Sequence, residues 1–434
     1  MADIVTSRIF VDGEKGITAA KLNDITASSV IQPAFYTSKP TASTADPPDV
    51  MLLLKAGAYT QVPVSTLAAS ISNAQIWATR LRSFNAVGNP SFEVDQRNVG
   101  NVVAAPVTGA LIQDRWAIQK VGTLVASSGR QTAAASEVLV PGTNFAISRN
   151  FHRITLTTAQ ASLGVSDNLM LYTQIEGPQF RELQYDVHSV SLLVRSNVAG
   201  LKFGLSIRDP VTVTTSLVKL CTIPSAGTWT LIPLANLPVF PSGNFSTAPG
   251  VLGYLLGICL AAGTTLTAPA NDTWQNGNFI GAVGQSNFAA SSLGSTLDIA
   301  FVQHEPGAIC TTLMDKPFTQ NYDECLRYYQ KSYDYDVALA TISSLGNTPM
   351  INAGGFAAGP IKFHKPMAKT PTMTAYDPST GGINAVRDTN GNVDRVVTGF
   401  QSVGKAGFQG IAVTGATAVV GTFCLLHYIA DTGW

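Results

Sequence analysis

The side chains that could do chemistry are scattered along this chain. Its histidines and cysteines, five of each, show no spacing typical of a metal site. No motif of a serine hydrolase, a zinc protease or a nucleotide-binding enzyme is present. His188 lies on the apolar side of an alternating segment, and we expect it to be a hydrogen-bonded core residue rather than a metal ligand. The sequence therefore predicts no catalytic residue, no metal, no cofactor and no enzymatic activity.

Two acidic segments resemble reactive or metal-binding sites only superficially. Glu93 and Asp95 lie two residues apart, but the paired carboxylates of a glycosidase are brought together by the fold, not by closeness in sequence. Segment 388–394 alternates Asp and Asn as a calcium loop does, yet its glycine stands at position 4 instead of 6 and position 12 is Gly399. A tight hairpin turn around Asn390-Gly391 accounts for the same residues.

The composition is poor in charge. Charged residues make up 12% of the chain and hydrophobic residues 45%, with a formal net charge of +0, whereas soluble domains usually contain about 25% charged residues. No basic patch is present, so we expect no nucleic-acid partner. The longest uncharged apolar run, 251–262, is shorter than the roughly 20 residues of a bilayer span, which predicts a buried strand and no membrane insertion.

Neither the start of the chain nor its cysteines indicate a secretory route. The first residues lack the basic and apolar regions of a secretory signal, so we expect a soluble protein assembled in the cytosol. The cysteines are odd in number and widely spaced, which predicts buried free thiols instead of a disulfide framework.

Period-2 alternation of apolar residues dominates the middle of the chain. Residues 188–196 and 202–209 alternate in this way, and turn clusters punctuate the segments around them. This pattern predicts an antiparallel β-sandwich of eight to ten strands over residues 84–316. Residues 337–434 are also β-like and contain the hairpin signal around Asn390-Gly391, so we expect a second β-domain there.

Two segments have helical spacing. In the N-terminal region, residues 1–83, a seam two heptads long is formed by Leu67, Ile71, Ala74, Ala78 and Leu81. It fits an amphipathic helix lying on its own domain and equally a small trimeric neck. In segment 317–336, spacings of 4, 3 and 4 predict a linking helix with one face formed by Tyr322, Leu326, Tyr329 and Tyr333. We expect this face to be buried at a domain or trimer junction.

Several stretches, read in order, match a pattern found in one family of proteins. They begin with "NPSFEVDQRNVG" and "IQDRWAIQK", continue through "LYTQIEGPQFRELQ" and "VSLLVRSNVAGLKFGLSIRD", and end with "LDIAFVQHEPGA" and "ECLRYYQKSY". Residues 85–335 thereby resemble the carbohydrate-binding-module-like jelly roll of bacteriophage appendage proteins, which include tail fibres, tailspikes and head fibres. The chain departs from the family at His304, where a leucine is usual, and in the segment that follows.

The resemblance implies a fold and a role. The fold would be mainly β: an antiparallel jelly-roll sandwich over 84–316, a linking helix over 317–336, and a second β-domain over 337–434 that commonly takes part in trimerisation. The protein would be a homotrimeric structural component of the virion, assembled in the host cytoplasm. A small helix-and-loop region, residues 1–83, would anchor it to other virion proteins, and host surface polysaccharide would be a further partner.

Aromatic residues are the candidates for such a glycan contact, because a large aromatic face offers apolar contact beside polar edges. The candidates are Trp116, Trp274 and Tyr335, although Trp116, like Trp229, also fits the sandwich core. Two other functions stay open. One is a capsid decoration or head-fibre protein that stabilises the particle without binding the host. The other, from a different class, is a polysaccharide depolymerase.

Overall fold

The computed structural model describes most of the second half of the sequence and much of the first. The described residues are 84–133, Leu139, 149–414 and 420–434, together with the backbone of 50–55 and 58–63. The chain divides into two compact units, Met1–Asn73 and Ala74–Trp434.

The first unit contains one described hairpin. Strands β1 (Val50–Lys55) and β2 (Ala58–Pro63) pair antiparallel within the segment predicted to anchor the chain. The rest of that segment lies outside the described residues. So does the predicted neck-helix seam, which comprises Leu67, Ile71, Ala74, Ala78 and Leu81.

Residues 84–306 form an antiparallel jelly-roll β-sandwich. One sheet has seven strands, in the order β13 (Trp274–Asn276), β10 (Thr215–Ile223), β9 (Leu201–Arg208), β12 (Leu252–Ala262), β7 (Asn168–Glu176), β4 (Trp116–Val121) and β3 (Leu111–Gln113). The other has five, in the order β11 (Thr230–Leu237), β8 (His188–Ser196), β14 (Thr296–Pro306), β6 (Asn150–Thr158) and β5 (Val125–Thr132). The strand count exceeds the predicted eight to ten because short edge strands such as β3 and β13 carry little sequence periodicity.

Alternating residues of both sheets meet in one core. In β9 the inward side chains are Phe203, Leu205 and Ile207, and in β8 they include Val190, Leu192 and Val194. Each is essentially removed from water, which stabilises the fold by about 1.5–3 kcal/mol per large apolar side chain. The predictions of strands at 188–196 and 202–209, and of a buried strand at 251–262, are confirmed.

The second β-domain is a small barrel built around the last strand of the chain. Strands β22 (Phe423–Asp431), β16 (Thr348–Asn352), β17 (Phe356–Lys362), β21 (Gly407–Thr414), β20 (Val393–Gln401) and β19 (Ala385–Asp388) pair in that order, and β19 pairs back onto β22. Two further strands, β15 (Tyr329–Lys331) and β18 (Thr372–Tyr376), pair with the second half of β22. The predicted hairpin around Asn390-Gly391 joins β19 to β20 and is confirmed.

The linking helix is shorter than predicted. Helix α2 (Phe318–Cys325) ends before Leu326, and Tyr329 lies in β15. The predicted continuous helical face through Tyr329 and Tyr333 is therefore wrong. The reason is tertiary: the backbone of β15 pairs with β22, with Tyr329 opposite Asp431, and this ladder outweighs the local helical spacing.

An ion pair and a hydrogen bond hold the sandwich against the barrel. The Arg97 guanidinium donates to the Asp431 carboxylate at 2.5 and 2.9 Å, and its Cζ lies 4.1 Å from the centroid of the Tyr329 ring. Lys331, also in β15, donates from Nζ to the carbonyl oxygen of Gln96 at 3.0 Å. The segment that precedes β3 in the sandwich thus binds both β15 and the end of β22.

A second group of contacts lies at the end of β7. The buried Glu176 carboxylate accepts from Arg327 Nε at 2.8 Å and Nη2 at 2.6 Å, and from Tyr328 Oη at 2.7 Å. It also accepts from the backbone N–H of Gly250 at 2.6 Å. Burial opposes ionisation, but these hydrogen bonds outweigh it and lower the pKa of Glu176.

Removing Arg97 tests the junction. We expect Arg97→Ala to lower the free energy of unfolding by about 3–5 kcal/mol, because Asp431 is then left without its partner at a largely buried position. Urea unfolding measures the loss. The matched control is Arg181→Ala, whose pair with Glu182 has side chains 64% and 49% exposed and should cost less than about 1 kcal/mol. Equal stability of the two variants would contradict this role of Arg97.

Three histidines are fully buried in the sandwich. His304 Nδ1 lies 2.6 Å from Tyr254 Oη, and its Nε2 lies 2.9 Å from His188 Nδ1. His152 lies 2.7 Å from Ser128 Oγ. The prediction that His188 is a hydrogen-bonded core residue is confirmed. Burial lowers the pKa of His188 to about 4 and that of His152 to about 3, so both stay neutral in the folded protein near neutral pH.

These histidines should make the protein sensitive to acid. Unfolded histidines take up protons near pH 6.5, whereas the buried ones do not until the pH is far lower. The unfolded state therefore binds more protons over this interval, and stability falls as the pH drops below about 6.5, by up to about 1.4 kcal/mol per pH unit for each such histidine.

Substituting His304 separates this effect from other titrations. We expect His304→Leu to be less stable at neutral pH, because Tyr254 and His188 each lose a partner, but to lose less stability on acidification. The exposed His364 provides the control variant His364→Gln. Burial raises the pKa of Asp114 to about 6, so protonation of this carboxyl stabilises the folded protein as the pH falls, opposite to the effect of the histidines. The free energy of unfolding of the variant is therefore compared with that of wild type at each pH. If the free energy of unfolding of His304→Leu falls with pH as steeply as that of wild type, the buried histidines are not the cause of the acid sensitivity.

Candidate functional site

An aromatic cluster lies on the surface of the molecule where α2 meets the sandwich. It consists of Phe318, Tyr322 and Tyr335. The Phe318 and Tyr322 rings are parallel within 6°, with centroids 5.9 Å apart, and Tyr335 stands nearly perpendicular to both at 5.3 and 5.4 Å. Phe318 is 41% exposed and the two tyrosines are half-buried. Helix α2 places Phe318 and Tyr322 together because residues four apart share one helical face.

Polar groups of the sandwich surround Tyr335. Its hydroxyl donates to the Glu93 carbonyl oxygen at 3.1 Å and accepts from the Asp95 N–H at 3.0 Å. The Arg130 guanidinium donates to the same Glu93 carbonyl at 2.7 Å. These contacts hold the Tyr335 ring in place and leave a basic group beside it. The cluster therefore combines an apolar face with fixed polar neighbours, which is the composition of a small-ligand site.

A half-buried carboxyl group, that of Asp315, lies three residues before Phe318 in the chain. Burial, together with the neighbouring Glu93, raises the pKa of Asp315 to about 6. The Asp95 carboxylate stabilises a turn, because it accepts hydrogen bonds from the backbone N–H groups of Asn98 at 3.1 Å and Gly100 at 2.7 Å. Asp95 is therefore not free to act with Glu93 as a catalytic pair.

The other two candidates for a glycan contact, Trp116 and Trp274, lie in different surroundings. Trp116 is fully buried against Phe92, and its indole N–H donates to the Asn89 carbonyl, so it is the core residue that the sequence also allowed and not a glycan contact. Trp274 is half-buried, with its ring against Phe240 and its N–H donating to the Pro238 carbonyl. Tyr335 instead lies in the surface cluster with Phe318, which is 41% exposed, and is therefore the best placed of the predicted residues.

The predicted junction residues have different surroundings. Leu326 and Tyr329 are buried where α2 leads into β15, and Tyr333 stacks on His427 of β22 with centroids 3.7 Å apart. Tyr322 instead belongs to the surface cluster with Phe318. The burial of Tyr329 lies between domains of one chain, and a trimer contact of these residues stays a prediction.

Sequence reasoning missed Phe318. It lies four residues before Tyr322, so the i, i+4 spacing of two aromatics at a helix start was the signal that could have found it. Asp315 was also missed, because its burial and its proximity to Glu93 arise only from the fold.

Two kinds of feature are absent from the described residues. They contain no group of three or more His, Cys, Asp or Glu side chains that could hold a metal ion. They also contain no helix with the length and apolar character needed to cross a bilayer. The cysteines are free thiols, and four of the five are buried, as predicted.

Comparison with known proteins gives structural likeness only. No protein-family profile and no curated protein matches the sequence. Solved structures with similar folds include the TmCBM61 module in complex with beta-1,4-galactotriose, which is 12% identical with a TM-score of 0.27 over 52% of this chain and 99% of that chain.

Two further structures extend the comparison. A family 11 carbohydrate-binding module from Clostridium thermocellum, in complex with a beta-1,3-1,4-mixed-linked tetrasaccharide, is 8% identical with a TM-score of 0.24, over 48% of this chain and 98% of that chain. The enzymatically active domain of bacteriophage CBA120 tailspike protein 4 is 12% identical with a TM-score of 0.24, over 52% of this chain and 22% of that chain. Likenesses this remote say nothing about what this chain binds.

Proposed function

We propose that this chain is a structural protein of a bacteriophage particle, an appendage that contacts glycans on the host surface. The proposal includes assembly in the host cytoplasm as a homotrimer, anchored to other virion proteins through residues 1–83, and no enzymatic activity. Its role in the particle is supported by the ordered motifs of residues 85–335. The glycan contact is supported by one observation, the exposed aromatic cluster of Phe318, Tyr322 and Tyr335.

The cluster has features that a sugar site needs. A pyranose ring presents C–H groups on its faces and hydroxyls at its edges, so it packs on an aromatic ring while bonding to neighbouring polar groups. Phe318 offers an exposed ring, and the Arg130 guanidinium is a polar neighbour, since it donates to the Glu93 carbonyl that also accepts from Tyr335. The rings are held by their mutual edge contacts, so little conformational entropy is lost on binding.

Alanine variants of the cluster test the glycan contact. The full chain is applied to an array of bacterial surface glycans, and the Kd of the best ligand is then measured by calorimetry. We expect Phe318→Ala and Tyr335→Ala each to weaken binding about tenfold or more, which is about 1.4 kcal/mol. Tyr185→Ala is the control, since Tyr185 is 86% exposed and lies elsewhere on the sandwich.

Two outcomes would count against the glycan contact. One is the absence of binding to any glycan at millimolar concentration. The other is equal binding by the Phe318, Tyr335 and Tyr185 variants, which would place the site elsewhere.

The half-buried Asp315 carboxyl favours a polysaccharide depolymerase as the second candidate. Glycosidases use two carboxyl groups, one of them protonated near neutral pH, flanking the scissile bond. Asp315, with its pKa raised to about 6 by burial and by the neighbouring Glu93, is such a group beside an aromatic surface. The discriminating measurement is the release of reducing ends from the bound glycan by wild type and by Asp315→Asn. If wild type releases reducing ends and Asp315→Asn does not, the protein is a depolymerase and the proposal of a protein without enzymatic activity is wrong.

Oligomeric state and position in the particle test the structural role. We expect light scattering of the full chain to give the mass of a trimer, three times 45.6 kDa. Antibody labelling of whole particles distinguishes a tail appendage from a capsid decoration. A monomer in solution together with no labelling of purified particles would contradict the proposed role.

A further inference from the structure

One outer face of the barrel is apolar and exposed. In the ladder between β16 and β22, Ile351 lies directly opposite Phe423. Two residues along the same ladder, Pro349 lies opposite Leu425. These residues alternate with core residues such as Cys424, so their side chains point away from the barrel interior. Ile351 is 54% exposed and Phe423 is 50% exposed, although both are large apolar residues.

The same face continues onto the next two strands. Ala358 of β17 lies opposite Ile351 on one side and opposite Gly410 of β21 on the other. A Cβ atom at Gly410 would come within 2.5 Å of the Phe356 ring, so this ring lies over β21 on the outside of the barrel. We call this surface the barrel face. It consists of Pro349, Ile351, Phe356, Ala358, Phe423 and Leu425.

The barrel face carries no net charge. None of its residues is charged, and the two charged side chains beside it in the sheet, Arg387 opposite Leu425 and Asp394 opposite Arg387, pair with each other at 2.7 Å. Asp394 also accepts a hydrogen bond from Thr380 Oγ1 at 3.1 Å. The whole chain has a formal net charge of +0. Two copies of this face can therefore approach each other without charge repulsion.

The size of the barrel face suits contact with another protein surface. A large side chain has about 200 Å² of accessible surface, so Ile351 and Phe423 together leave about 200 Å² in water. Val420, which is 73% exposed, adds to the face beside the turn that joins β16 to β17. Apolar patches of a few hundred Å² mark interaction sites. One partner of a standard interface contributes about 800 Å², of which the apolar core is only a part.

Exposed apolar residues of the sandwich are arranged differently. Tyr185, just after the short helix α1 (Gly177–Arg181), and Val165, before β7, lie in separate loops. Single exposed residues of this kind are ordinary on a monomeric protein. The exposed residues of the barrel face are instead direct neighbours across a strand ladder, so they form one surface.

We propose that the barrel face is a contact between copies of this chain, in which the face of one barrel packs on that of a second. A surface that meets its own copy must be self-complementary, and a neutral apolar surface fulfils this condition. The barrel closes through the pairing of β19 with β22, so the contact is made by packing of faces and not by strand addition. The inference rests on the proposed self-association of the chain, but not on the glycan contact at Phe318.

Sedimentation velocity of the full chain over a range of concentrations tests the contact. Ile351→Asp and Phe423→Asp each place a charge in the barrel face, where burial against a second copy would be costly. We expect wild type to be an oligomer of 45.6 kDa chains and each variant to associate at least about tenfold more weakly. Val165→Asp is the matched control, since Val165 is 61% exposed on the sandwich, and it should associate as wild type does.

A second variant covers the case in which aspartate disturbs the barrel, because aspartate is unfavourable in strands. Phe423→Thr removes the exposed ring, keeps a residue that suits a strand and leaves the barrel core unchanged. It should also weaken association by about tenfold or more. Circular dichroism shows whether each variant is folded.

Three results would overturn the proposal. If folded Phe423→Asp and Phe423→Thr associate as strongly as wild type, the chain still associates with itself but through another surface. If Val165→Asp dissociates as readily as the barrel variants, the loss reflects added charge and not the barrel face. If wild type is a monomer at every concentration, both the contact and the proposed homotrimer are wrong.

Discussion

The buried carboxylate of Glu176 is the constraint on which the arrangement of the two β-domains depends. It lies at the end of a sandwich strand, fully out of water, and remains charged because Arg327 and Tyr328 donate to it. A buried ion left without its partners would cost several kcal/mol. The chain that leaves the sandwich must therefore return to β7 before it enters the barrel. The pairing of β15 with β22 then sets where the strand begins.

The same constraint shapes two sites around α2, the aromatic cluster and a cavity. Because α2 is held at its C-terminal end by the residues that follow it, one part of the helix presents Phe318 and Tyr322 at the surface beside Tyr335. Another part closes the cavity that contains Arg115. Neither site belongs to the sandwich alone. Both need the segment that joins the sandwich to the barrel.

The fold was largely predictable because its signals are local. The alternation in β8 and β9 and the Asn390-Gly391 turn each specify strands without knowledge of their partners. Segment 322–333 was predicted incorrectly because its structure depends on a distant part of the chain. Its helical spacing is real, but Tyr329 is held in a strand by pairing with the distant Asp431, which the local sequence cannot report.

The candidate sites were less predictable than the fold. Tyr335 was identified by its residue type, but the burial that raises the pKa of Asp315 depends on contacts between residues far apart in sequence. The barrel face gave no signal at all, because Ile351 and Phe423 become neighbours only when β16 pairs with β22. Sequence patterns report periodicity and turns, whereas these sites arise from contacts between distant parts of the chain.

The account requires the sandwich and the barrel to form one body, and hydrogen–deuterium exchange measures this directly. Peptides covering β15 and the second half of β22 are compared with peptides covering β7 and β9 in the full chain. If the junction locks the two domains together, amides of β15 and β22 will exchange as slowly as those of the sandwich core, with a common opening free energy. Exchange of β15 and β22 that is orders of magnitude faster, while β7 and β9 stay protected, would contradict the account.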